Sequence, residues 1–119
     1  MSGGLRTRAC PCGSASYDEC CGRLHRGERQ AETAEELMRS RYSAYAVGDT
    51  DYVWRTWHPR TRPQQVAPDP ATRWVRLEII EADEDTVEFR AHHDRGVLHE
   101  RSRFQRRAGR WFYLDGEVD

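Results

Sequence analysis

Between residues 33 and 47, TAEELMRSRYSAYAV, apolar side chains recur at Leu37, Met38, Tyr42, Tyr45 and Ala46, close to the 3.6-residue period of a helix. Thr33 stands where an N-cap belongs, Glu36 follows at the capping-box spacing, and Gly48 is a natural stop. A second short helix is expected to restart at Asp49 or Thr50, run through DYVWRTW and end at His58-Pro59. From residue 74 the alternation becomes strand-like in WVRLEII (74–80), TVEFRAHH (86–93), VLHERSRFQ (97–105) and RWFYLD (110–115). The DED, DRG and RRAG segments between them are short enough to make consecutive strands antiparallel neighbours. Helices followed by a four-stranded meander predict an α+β fold, with the helices packed on one face of a curved antiparallel sheet. Residues 60–72 carry three prolines among polar residues and read as an exposed loop, and residues 1–9 read as a flexible leader.

Composition narrows the class of protein. At 119 residues the chain has room for one domain, or one small domain with an appendage. It is 33% charged with a mean hydropathy of -0.96, yet four Trp, five Tyr and three Phe supply the area for a modest core. The net charge of -1 gives no global pull toward nucleic acid or an anionic membrane. All 19 basic residues are Arg, whose planar fork suits carboxylates and phosphates better than Lys does. With no apolar export segment and only short apolar runs, the expected location is the cytoplasm, where structural disulfides are rare.

That compartment changes the reading of CPCGSASYDECC, residues 10 to 21, which holds all four cysteines. Cys-x-Cys followed seven residues later by Cys-Cys lacks the two-residue spacing of a thioredoxin-type redox pair, and two disulfides in so short a span would be strained. Four thiolates around one tetrahedral ion, zinc or alternatively iron, satisfy every ligand and leave no open position. Cys10, Cys12, Cys20 and Cys21 are therefore the candidate metal ligands, with Pro11 and Gly13 suited to the tight turn. His25, four residues beyond the pair, is read as a surface residue or an outer hydrogen-bond donor.

A candidate pocket follows from the strand around Glu100. Leu98, Glu100, Ser102 and Phe104 share one face and His99, Arg101 and Arg103 the other, and the apolar pair turns Glu100 inward. A carboxylate there needs a partner, and Arg41 on the first helix is expected to provide it as a buried pair fixing helix on sheet. A functional version makes Glu100 a general base in a pocket rimmed by Tyr45, Trp57, His58 and Trp111. The opposite face continues toward Arg106, Arg107 and Arg110. With Arg23, Arg26 and Arg29 it forms a basic stripe that could meet RNA phosphates, although nearby acids make a solvated face the better reading.

The string CPCGS…Y..CCG resembles the SEC-C metal-binding motif found at the C-terminus of the SecA translocase. ELMRSRYSAYAVGDTDYVWRTWHP, W.RLEI and HERSRF…GRWFYLDG resemble the YchJ family of uncharacterised bacterial proteins, so the match runs from about residue 10 to 116. The resemblance implies a SEC-C-type knuckle with the leader in residues 1–29. It also implies a cystatin-like cone of the nuclear transport factor type in residues 30–119. It implies Cys10, Cys12, Cys20 and Cys21 as ligands, but no reaction. Seven residues separate Cys12 from Cys20 where the motif usually has eight, which places the difference in the turn Gly13–Ser16. Many relatives carry a second knuckle at the C-terminus and this chain stops at Asp119, so no function needing two is expected. The leading expectation is an adaptor whose knuckle meets a protein or ribosomal partner. The rival is a small-molecule binder or enzyme using a pocket around Arg41, His58 and Glu100.

Overall fold

A computed structural model describes residues 8–119, so most of the expected leader lies outside the described residues. Three helices, α1 (Cys21–His25), α2 (Ala34–Val47) and α3 (Thr50–Arg55), precede four strands. The strands are β1 (Trp74–Ala82), β2 (Thr86–His93), β3 (Gly96–Arg107) and β4 (Arg110–Val118). They pair in sequence order, each antiparallel to the next, and α2 lies across one face of the sheet.

The N-cap of α2 works as the spacing predicts. Thr33 Oγ1 accepts the Glu36 N–H at 3.0 Å, while the Glu36 carboxylate reaches one residue further back, to the Glu32 N–H at 2.8 Å. Gly48 closes the helix in the left-handed region at φ 84. Helix α3 is shorter than its sequence suggests because another partner claims its last backbone groups. The Thr56 carbonyl accepts the Tyr113 N–H at 2.8 Å and the His58 N–H donates to the Tyr113 carbonyl at 2.7 Å, which ties the helical half to β4.

β3 runs past its expected end to Arg107, since its connection to β4 is only Ala108–Gly109, both with positive φ, the geometry of a type I′ hairpin. β4 runs on to Val118, still paired with Glu100 of β3. Pairing slips between Trp74 and Arg76 and between Ile79 and Glu81 on β1. It slips again where Phe104 faces Tyr113 and leaves Leu114 unpaired. Such bulges bend strands, giving the sheet a concave side for α2. That side is built from Val87, Phe89, Ala91, Phe104 and Trp111, packed against Leu37, Met38 and Tyr42 of α2. The proline-rich segment is exposed but fastened: the Pro63 carbonyl accepts the Trp54 indole N–H at 3.1 Å, and Asp69 pairs with Arg95.

Candidate metal centre and cavity

The cysteine segment is organised by Tyr17. Its carbonyl accepts the N–H groups of both Cys20 and Gly22, at 3.1 and 2.8 Å, which folds the chain so that Cys20 and Cys21 face back toward Cys10 and Cys12. Gly22 is required by closeness: a Cβ there would lie 2.7 Å from the Tyr17 carbonyl oxygen and 3.1 Å from its ring. On the other arm the Gly13 N–H donates to the Cys10 carbonyl at 3.0 Å, with Gly13 at φ 115. The turn missing one residue thus still closes.

All four Sγ atoms lie within 4.8 Å of one another. Cys12 and Cys20 are 3.7 Å apart and Cys20 and Cys21 4.0 Å, and all four cysteines are free. Sulfurs at about 2.3 Å from a tetrahedral ion stand about 3.8 Å from each other, whereas a disulfide needs about 2.0 Å. Cys10, Cys12 and Cys21 are buried and Cys20 is half-buried. The Cys12 thiol is held down to about 4, chiefly by its hydrogen bond with Cys21, and the same contact pushes Cys21 up. A thiolate so placed opposes ionisation of its neighbours, and a bound cation removes that conflict. The donor set fits a metal ion.

The knuckle is bolted to the back of α2. Cys10 Sγ lies 3.5 Å from Ser43 Oγ, and Arg39 donates to the Cys12 carbonyl at 3.0 Å. His25 is not at the surface. Its Nε2 donates to the Ser40 carbonyl at 2.8 Å, so Nδ1 is the acceptor and takes the Tyr17 hydroxyl at 2.6 Å. Burial holds its pKa below the ordinary value. His25 therefore stays neutral and stitches knuckle to helix, a role the sequence did not signal.

On its other face α2 roofs a cavity of about 330 Å³ that reaches Glu100. Arg41, Tyr45, Trp57 and Glu100 all line it, with Tyr42, Trp74, Tyr113 and several aliphatic side chains. His58 and Trp111 do not. His58 is buried where the chain turns after α3, its Nδ1 accepting the Arg60 N–H at 3.0 Å and its ring edge-on to Phe112. Trp111 packs in the core and donates to the Glu32 carbonyl at 3.2 Å. Both fall outside the pocket: Trp111 shares the inner face of β4 with Tyr113 but packs nearer the hairpin, opposite Arg106, and the backbone of His58 is taken by Tyr113.

The expected Arg41–Glu100 ion pair does not form either, as no carboxylate lies within 4.0 Å of Arg41 among the described residues. Arg41 Nη1 donates instead to the Val53 carbonyl and to Thr56 Oγ1, both at 2.8 Å, fixing α2 to α3. Its guanidinium sits 4.5 Å from the Tyr113 ring centroid and 5.2 Å from that of Trp57. Glu100 Oε2 accepts from Ser102 Oγ at 2.7 Å and from the Tyr113 hydroxyl at 3.0 Å. Desolvation in this setting, followed by the charge of Glu100, pushes the Tyr113 phenol well up. On the outer face part of the basic stripe is matched by acids: His99 and Arg101 meet Glu88 and Arg103 meets Asp115, whereas Arg106, Arg107 and Arg110 meet no carboxylate within 4.0 Å among the described residues.

Comparison with known proteins places this arrangement. The family model described as the YchJ middle NTF2-like domain matches residues 33–116. The chain belongs to the YchJ family. It is 54% identical to a UPF0225 protein of Streptomyces coelicolor over 95% of this chain and 98% of that one. A UPF0225 protein of Deinococcus radiodurans is 48% identical, over 91% of this chain and 88% of the other. The solution structure of a SEC-C motif containing protein from Rhodopseudomonas palustris superposes with a TM-score of 0.81 at 37% identity, covering 93% of this chain and 98% of that one. The crystal structure of a SEC-C motif containing protein from Psychrobacter arcticus gives 0.74 at 28%, covering 94% and 83%. The α+β fold of this chain is thus shared with both solved SEC-C motif containing proteins. No helix among the described residues is long and apolar enough to cross a membrane.

Proposed function

We propose that this member of the YchJ family is a cytoplasmic protein that takes a small organic molecule into the cavity beneath α2, while its SEC-C-type knuckle holds a structural zinc ion. The cavity carries this reading. About 330 Å³ of space is walled largely by aromatic and aliphatic side chains, with a few polar groups converging on it, which is the make-up of a small-molecule site. A cone packed solid would have left no room for a ligand.

Zinc is the metal that four thiolates favour in a reducing compartment, with iron as the alternative. Cys10, Cys12, Cys20 and Cys21 would hold it with no position left for substrate, so the ion contributes folding free energy to a segment too short to fold alone. Elemental analysis of purified protein should give one zinc per chain, and Cys12→Ser should lose most of it. Stoichiometric iron would overturn the assignment.

The cavity is tested by filling it. Ala91 is buried in its lining, and Ala91→Leu should abolish the binding of small aromatic fragments detected by saturation-transfer NMR while the far-ultraviolet spectrum is kept. Fragments that bind both proteins equally would place the site elsewhere. A second reading, in which the knuckle meets a protein or ribosomal partner, is supported by exposed Asp18 and Glu19 beside half-buried Cys20. It requires that Asp18→Asn with Glu19→Gln weaken capture of ribosomes.

A further inference from the structure

The polar groups around the cavity are unbalanced in kind. Arg41 is almost fully buried, yet its hydrogen bonds use Nη1 alone, and Nε and Nη2 make none among the described residues. The Tyr45 hydroxyl, which feels the charges of both Arg41 and Glu100 across the cavity, likewise makes no hydrogen bond among the described residues. Against these donors the lining offers one carboxylate, Glu100, whose Oε2 is already occupied by Ser102 and Tyr113. Buried donors left without acceptors are costly, and a buried guanidinium without an anion more so. A ligand that brings acceptors and one negative charge relieves both.

Resting on the reading of the cavity as a small-molecule site, we infer that the ligand is a compact aromatic monocarboxylate. Its carboxylate meets the free edge of Arg41, with the Tyr45 hydroxyl supplying a further donor, and its ring lies among Trp57, Trp74, Phe89 and Tyr113. The planar guanidinium matches a carboxylate two bonds at a time. A phosphate dianion would bring a second negative charge into a lining that already holds Glu100, with a single Arg to answer it. The cavity volume suits a bicyclic acid.

The test titrates the full-length, metal-replete protein with three probes of one shape: 2-naphthoate, 2-naphthamide and 2-naphthylmethylammonium. The Trp57 indole resonance in ¹H–¹⁵N spectra is the readout. The acid should bind saturably and move that resonance, with the amide at least about tenfold weaker, as expected for replacing a charge-assisted hydrogen bond by a neutral one. Tyr45→Phe deletes a hydroxyl that makes no hydrogen bond among the described residues, so it should fold normally and weaken the acid several-fold with little change for the amide. Equal binding of acid and amide, or tighter binding of the ammonium, overturns the carboxylate assignment and leaves the cavity reading intact. If none of the three moves Trp57, the cavity reading falls as well.

Discussion

His25 is held between the Tyr17 hydroxyl and the Ser40 carbonyl, whereas His99 lies between Glu88 and Asp119. The same side chain is driven in opposite directions. Burial lowers His25, and hydrogen bonds to Glu88 and then to Asp119 raise His99. In the unfolded chain both would protonate near 6.5. As pH falls below that value the unfolded state takes up a proton that His25 refuses, so stability due to neutral His25 is whole above about 6.5 and drains away as pH drops toward its folded pKa. For His99 the sign reverses, and its contribution is lost as pH rises through its raised pKa. NMR titration of the imidazoles should find His25 titrating below the ordinary imidazole value, with the proton on Nε2 while neutral, and His99 titrating above it. A His25 that titrates at or above the ordinary value would show that the Ser40 and Tyr17 contacts are not kept in solution. Sequence alone misplaced His25 because nothing in LHRGE announces a helix packing over it. It likewise paired Arg41 with Glu100 correctly by face and incorrectly by contact, since the α3 carbonyl that takes Arg41 depends on tertiary geometry.

Among the elements, α2 was readable from Thr33 to Gly48 because cap, period and stop agree. α1 was not, since five residues give too little pattern to show a period. The strands were readable in number and order, but β3 runs on to Arg107 because Ala108 accepts a positive φ that its side chain disfavours, and β4 runs on to Val118 because it stays paired with β3 as far as Glu100. Gly116 shows an element shaped by its neighbour. A Cβ there would fall 2.8 Å from Glu100 Cδ, so the small residue on β4 lets the Glu100 carboxylate fold down toward Tyr113. Gly116→Ala should therefore push the Glu100 carboxylate off Tyr113 and destabilise the protein by about 0.5–1.5 kcal/mol in urea unfolding, the usual net worth of a hydrogen bond. In a Glu100→Ser background the same change should be close to neutral. Additive losses in that double-mutant cycle would show that the carboxylate does not occupy the space over Gly116.

Across the whole molecule the knuckle and the cone share α2. One side of the helix receives Cys10, Cys12 and His25 through Ser43, Arg39 and Ser40, and the other side roofs the cavity with Met38, Arg41 and Tyr45. Leu24 of α1 also packs with Ala44, Tyr52 and Val53. Stripping the metal with a strong chelator should accordingly lower the melting temperature of the entire chain by about 10 °C or more, in one transition seen equally by tryptophan fluorescence and circular dichroism. Two separate transitions, with the sheet unaffected, would show that the knuckle is an independent appendage. The sequence displayed the division of chemistry between cysteines and cone, yet gave no sign of this shared helix, because the polar serines and arginine that make the joint look like a solvated face.

The distortions that curve the sheet act outward as well. Each outer strand of a sheet offers unpaired backbone groups to another chain, the usual route to end-on aggregation. Here β1 slips register twice within nine residues, and β4 carries the unpaired Leu114 and has already given the backbone of Tyr113 to Thr56 and His58. Neither rim presents a long, regular ladder. The bends that open the cavity therefore also deny a second copy a regular template for sheet extension.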